Sequence, residues 1–262
     1  MKKISLTGTQ KKNAEDILRR FRLGYDLSSL KNAIEPEKSA PYKNFSKDKD
    51  ASYQFAKILD IPICPYCNEN YTYTISYRRN STQKFVVRPE FDHFQPKRYH
   101  ADLQLDLMNL VPSCHVCNSS LKGQKKFDRL KNLHPYYDDF DSIMKFTIGL
   151  HRLNYLHESS FSIKFCKRYN VKEEDVKRAK KHIVDFELED RYQLHKDEVV
   201  KILRNVKFYH IAKKKEIEKL LISSNLDTVI LPENILFAEK NCDISKISLG
   251  KLKKDIIRMF IK

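Results

Sequence analysis

Hydrophobic positions change period along this chain, and each change marks an element. Apolar residues recur at helical steps from about Ala14 to Leu23 and again from Ala51 to Leu59, predicting a helical N-terminal segment over residues 1–60. From Ile61 to Tyr137 the period shortens: prolines at 62, 65, 89, 96, 112 and 135 punctuate short alternating runs such as Tyr71–Tyr77 and Phe85–Arg88, which read as strands. Two more candidate strands follow, Met144 to Leu150 and Ser160 to Cys166. No proline then occurs until Pro232, and between Glu173 and Ser223 apolar residues return to three- and four-residue steps, predicting one short helix and one long one. A last helical pattern runs from Ile247 to Ile261. The expected fold class is therefore α+β, with N-terminal helices over 1–60, a compact turn-rich core over 61–137, and a mixed then mainly helical region over 138–262. No sharp boundary sets the last region apart, so one mixed domain with a helical extension fits as well as two domains.

Charge adds a partner to this picture. Fifty Lys and Arg against 34 Asp and Glu leave a formal charge of +16, the balance of a protein that meets polyanions. No apolar run approaches the roughly 18 residues that span a bilayer, and the Met1-Lys2-Lys3 start lacks the apolar stretch of a secretory signal. A cytoplasmic protein with no membrane partner is expected.

At 262 residues the chain can bury a core without disulfides, so small size does not explain its six cysteines. Four of them form two knuckles, Cys64-Pro-Tyr-Cys67 and Cys114-His-Val-Cys117, with 46 residues between. Paired thiolate knuckles match a tetrahedral four-cysteine zinc site, whose ligands come from distant parts of a chain. A redox Cys-x-x-Cys occurs singly and in a βαβ setting not seen here; four unrelated buried thiols are the other alternative, and His115 in place of one sulfur is a variant. Four protein ligands leave no open coordination position, so the zinc would be structural. Cys166 and Cys242 lack partners at ligand spacing and read as buried thiols.

The chemistry is concentrated between the knuckles. Asp92-His93 pairs a hard oxygen ligand for Mg2+ or Mn2+ with an imidazole able to act as a base near neutral pH. Adjacent strand residues point to opposite sides, so the two serve one site only if the strand ends there, as Pro96 suggests. Asn118, just after the second knuckle, offers a second oxygen to the same ion, and the amide of Asn109 is placed to lock the loop that carries His93. Activated water, cation and alignment are the requirements of phosphodiester hydrolysis. Residues 78–131 hold eleven Lys or Arg against five acidic residues, and of these Lys97, Arg98 and Lys122 are candidates to grip nucleic-acid phosphates. The remaining histidines, including His134, read as packed or solvated side chains. Tyr136 and Tyr137 are candidates for base stacking but suit a core as well.

The run from Cys64 to Asn118 resembles the HNH nucleases of the ββα-metal class. That resemblance implies His93 as general base, Asp92 and Asn118 as divalent-metal ligands, and Asn109 as the orienting middle residue. The last position is Asn here where many members have His, which bears on the choice of metal. Cys64-Pro-Tyr-Cys-Asn68, Arg88-Pro-Glu-Phe-Asp-His-Phe-Gln-Pro-Lys97, Asn109-Leu-Val-Pro-Ser-Cys114, Leu133-His-Pro-Tyr136 and Leu249-Gly-Lys-Leu-Lys-Lys-Asp-Ile256 are similar to the PtuB-type HNH subunits of Septu anti-phage systems, including those attached to some retrons. The likeness is strong over about 64–136 and thin elsewhere. It implies an endonuclease acting on DNA or RNA together with an ATPase subunit. A zinc-ribbon adaptor that binds nucleic acid or protein without cutting is the alternative from another class, resting on the knuckles and the charge alone.

Overall fold

The computed structural model describes residues 1–22, 40–208, 216, 219 and 243–260. Helix α1, Gly8–Arg22, begins in a reciprocal cap: Thr7 Oγ1 accepts from the Gln10 amide at 3.1 Å while Gln10 Oε1 accepts from the Thr7 amide at 2.9 Å. Helix α2 spans Ala40–Lys47 and α3 spans Lys49–Leu59. Asp48 caps α3 through the Ala51 amide at 3.0 Å, and Asp60 ends it in the left-handed conformation, φ 48°. Apolar faces of these helices, with Leu18, Phe45, Phe55 and Leu59, close over Phe91, Leu105, Leu107 and Leu110.

The described strands form three separate two-stranded antiparallel ribbons, so the fold is α+β with small sheets. Strands β1 (Ile75–Arg79) and β2 (Thr82–Val87) meet through Asn80 and Ser81, both at positive φ (46° and 62°), as the tightest hairpin turn requires. Strands β3 (Glu90–His93) and β4 (Leu110–Ser113) pair with Asp92 opposite Val111 and His93 opposite Leu110. The chain then enters a short, wide-wound helix, Val116–Lys122, called the site helix here; it closes when the Gly123 amide reaches back five residues to the Asn118 carbonyl at 2.9 Å. Gly123 sits at φ +49°, where a side chain would be strained.

Helix α4 (Phe140–Ile143) leads into β5 (Met144–Leu150), which pairs in register with β6 (Phe161–Lys167). Three helices follow as far as Phe208: α5 (Glu173–Asp185), α6 (Leu188–Gln193) and α7 (Lys196–Phe208). The pattern had predicted two. The additional one is α6, which starts after Glu187; that residue takes φ 49°, with Phe186 and Leu188, both fully buried, on its two sides. The rest of that expected long helix, including Tyr209, lies outside the described residues apart from 216 and 219, as do Leu23, Cys242 and Ile261.

Helix α8, Gly250–Phe260, docks on β5. Its Lys251, fully buried, reaches Asp141 at 2.6 Å and Asp255 at 2.9 Å, and Arg168 bonds the same two carboxylates. One buried cluster runs from Cys64 and Tyr66 through Phe94, Phe146 and Tyr192 to Ile256, with residues from both sides of position 137. Among the described residues no helix is long and apolar enough to cross a membrane.

Candidate metal centre and active-site cleft

The two knuckles converge. The sulfurs of Cys64, Cys67, Cys114 and Cys117 all lie within 4.8 Å of one another, all four residues are buried, and all are free thiols. Each knuckle is shaped by its backbone: the Asn68 amide bonds the Cys64 carbonyl at 2.8 Å and the Asn118 amide bonds the Cys114 carbonyl at 3.0 Å. Asn68 takes φ 55°, a conformation that Asn tolerates. Hydrogen bonds from Cys117, Cys64 and Cys67 pull the Cys114 thiol far down, whereas burial pushes Cys64 up. Four thiolates so placed repel one another unless a cation sits among them, and a tetrahedral zinc fits that donor set.

Second-layer donors complete the fit. Asn70 Nδ2 points at Cys114 Sγ from 3.5 Å and Arg191 at Cys117 Sγ from 3.6 Å, N–H groups that offset thiolate charge. Arg191 and His195 both hold the carboxylate of Glu69, His195 at 3.0 Å. Cys166 is half-buried on β6 and stands apart from this cluster.

The second knuckle leads straight into the site helix, and this helix faces the end of β3. An open cleft of about 330 Å³ there is lined by Asp92, His93, Lys97, Asn118 and Lys122, with Tyr42 from α2. As expected from the sequence, β3 stops at His93, so neighbours that leave the strand on opposite faces reach one cleft. Asp92 turns toward the knuckle, where its Oδ2 accepts from the Tyr66 hydroxyl at 2.6 Å. His93 turns toward α2, its ring 4.4 Å from that of Tyr42.

His93 Nε2 lies 2.9 Å from the Gln104 carbonyl. A carbonyl only accepts, so Nε2 carries the proton and Nδ1 keeps the lone pair. Burial pushes the imidazole down to about 3, against the opposing pull of that carbonyl, and the ring is neutral at physiological pH.

Asn109 is buried and bridges the loop ends: its Oδ1 accepts from the Gln95 amide at 2.8 Å while its Nδ2 donates to the carbonyls of Gln95 and Leu103 at 3.1 and 3.0 Å. With the Phe94 amide on the Asn109 carbonyl at 2.9 Å, the segment after His93 is tied at both sides.

Lys122 departs from the sequence expectation. Its side chain is 1% exposed, and the ammonium donates to Asp92 Oδ1 at 2.8 Å and to the His93 carbonyl at 2.7 Å. The cause is spacing: four residues after Asn118, it lies on the helix face turned under β3, so its charge meets Asp92 instead of solvent. Burial pushes the Asp92 carboxyl up, and the Lys122 ammonium and Tyr66 hydroxyl work against that.

Asn118 does not reach Asp92 through a hydrogen bond; its Nδ2 donates to Glu90 Oε2 at 2.7 Å, which leaves its amide oxygen for another partner. Glu90 also accepts from Ser119 at 2.8 Å and pairs with His115 Nδ1 at 2.7 Å. Burial acts to raise Glu90, but His115, Asn118 and Ser119 together hold it below the usual carboxylate range.

Lys97 lies over the Tyr42 ring at 4.7 Å on the cleft wall, and burial lowers its ammonium. Arg98 is exposed and lines a neighbouring cleft of about 450 Å³ with Tyr99, His100 and Lys126, the two clefts sharing Pro96. His134 packs its ring 4.0 Å from Phe94. Tyr136 is buried and donates to the Leu110 carbonyl at 2.9 Å, whereas Tyr137 is partly exposed beneath Arg129.

Tyr66, Glu90, Gln104 and Arg191 are site residues beyond those the sequence points to. Tyr66 lies within the first knuckle and Glu90 two residues before Asp92, positions that carry a local signal; Gln104 acts through a backbone carbonyl and carries none.

The chain is 28% identical over 209 residues to Protein ea31 of Escherichia phage lambda, a match covering 72% of this chain and 64% of that protein. The chain thus spans a little under two thirds of the relative it matches. No protein-family model and no solved structure matches the chain.

Proposed function

We propose that this protein is a metal-dependent HNH endonuclease, braced by a structural zinc on Cys64, Cys67, Cys114 and Cys117. It hydrolyses phosphodiester bonds in nucleic acid, DNA before RNA. In this reading it is the cytoplasmic nuclease effector of a bacterial anti-phage system and works with an ATPase subunit. The observation that carries the reading is the meeting of Asp92, His93 and Asn118 on one cleft, with the His93 tautomer fixed by the Gln104 carbonyl.

The residues divide the work. His93 Nδ1 takes the proton from the attacking water, and Nε2–H on a fixed carbonyl keeps the ring aimed. Asn109 holds the His93 loop in place. The Asn118 amide oxygen, with Asp92 Oδ1 once the Lys122 ammonium is displaced from it, would hold Mg2+ or Mn2+, which when bound supplies charge neutralisation for the phosphate and its leaving oxygen. Lys97 stands at the wall where a flanking phosphate would lie.

A second reading has one observation in its favour. The Lys122 ammonium already neutralises Asp92, as it would in a zinc-ribbon adaptor that binds without cutting. Incubating the protein with plasmid DNA and with total RNA, in Mg2+ or Mn2+ and with its ATPase partner added, separates the two. The nuclease reading expects ion-dependent fragments; an adaptor retards the polymers and leaves them whole.

A further inference from the structure

The hairpin of β1 and β2 presents an aromatic face to solvent. Burial alternates residue by residue from Tyr71: Tyr71, Tyr73, Ile75 and Tyr77 are 60%, 46%, 43% and 49% exposed, while Thr72 is buried and Thr74 and Ser76 are half-buried. The inward face is satisfied. Thr72 donates to the Ile61 carbonyl at 2.7 Å, and Phe85 of β2 packs on Tyr53 of α3 at 4.9 Å. The outward row is about half open to solvent, and it carries three phenol rings with Ile75 between the second and third, Tyr71 and Tyr73 having centroids 5.6 Å apart. Lys84 stands opposite Tyr77 on the same face, and Arg78 and Arg79 are exposed at the hairpin tip. No acidic residue occurs between Asn70 and Pro89.

We propose that this face is a stacking platform for an unpaired polynucleotide strand. The argument is one of complementarity. A strand out of duplex offers flat apolar bases and a polyanionic backbone; exposed rings bordered by Lys84 and Arg79 and no carboxylate offer both counterparts. A duplex hides its base faces and would use only the charge. The same hairpin continues through Arg88 and Pro89 into β3, which carries Asp92 and His93. The proposal deepens the nuclease reading by naming the form of its polymer, and it rests on that reading only for the link between platform and cleft.

The test measures binding in a His93→Ala background, where cutting does not intrude, by fluorescence anisotropy with labelled oligothymidylate, oligouridylate and a duplex. Both unpaired probes should bind more tightly than the duplex, and the tighter of the two identifies the polymer. Tyr73→Ala and Tyr77→Ala should each weaken strand binding by about tenfold, Tyr→Phe at both positions should keep it, and Tyr→Leu should not. Arg79→Gln should flatten the salt dependence. Unchanged strand affinity in the alanine variants overturns the platform. So does full binding by the leucine variant, which keeps apolar area without rings, or an alanine variant that only turns a dimer into a monomer. None of these outcomes touches the cleavage assay, so platform and nuclease fail separately.

Discussion

The ammonium of Lys122 lies 2.8 Å from Oδ1 of Asp92, and neither side chain is more than 3% exposed. A buried pair of this kind is costly to break by halves, because the remaining charge keeps no partner. Lys122→Met should therefore destabilise the protein by about 3–5 kcal/mol, read by urea denaturation. Saturating Mg2+ should restore more stability to this variant than to the wild type, since a cation can then replace the ammonium at Asp92. A variant as stable as the wild type would remove the pair from the account.

Cys64→Ser and Cys117→Ser should each abolish zinc in metal analysis and give aggregated or unfolded protein, because binding free energy at such a site is folding free energy. Arg191→Gln should keep its zinc but release it faster to a chelator, since the N–H on the Cys117 sulfur is lost.

His182 gives the fold a pH dependence. Its Nε2 donates to the Tyr66 carbonyl at 2.8 Å, and burial pushes the ring down to about 4. The unfolded chain takes up the proton near 6.5 and the folded chain does not until about 4, so stability is full above 6.5 and falls as pH drops through that window. The loss amounts to about 3 kcal/mol. His182→Gln should flatten this part of the stability–pH curve, measured by urea denaturation at successive pH values; an unchanged slope contradicts the assignment.

Asn109→Ala leaves the Gln95 amide without its acceptor in a buried turn. It should cost about 1–3 kcal/mol of stability and, in the nuclease reading, lower the cleavage rate while leaving nucleic-acid affinity unchanged. Asn109→Asp keeps the acceptor for Gln95 and should recover part of the stability. If affinity falls with the rate, Asn109 has a different role.

The knuckles and Asp92-His93 were legible because their signal is local: two-residue spacings and an adjacent pair survive without knowledge of the fold. The stop of β3 at His93 was legible for the same reason, from Pro96 nearby. What escaped depends on contacts across sequence. Tyr66 stands 26 positions from the Asp92 it bonds, and Arg191 meets Cys117 only after α6 docks. Lys122 is read from sequence as a phosphate contact; that the helix extends to include it and turns it beneath β3 onto Asp92 depends on the fold. The kink at Glu187 carries neither Gly nor Pro, and it stands between two buried residues, Phe186 and Leu188. Helix α2, which supplies Tyr42 to the cleft, was likewise hidden in a polar, irregular stretch.

The most direct measurement compares wild-type and His93→Ala protein on one plasmid substrate with Mg2+ or Mn2+, at matched zinc content and melting temperature. With His93 as the general base, the variant binds the plasmid as the wild type does and cuts it slower by about 10² to 10⁴. Equal cutting by the two proteins would contradict that role.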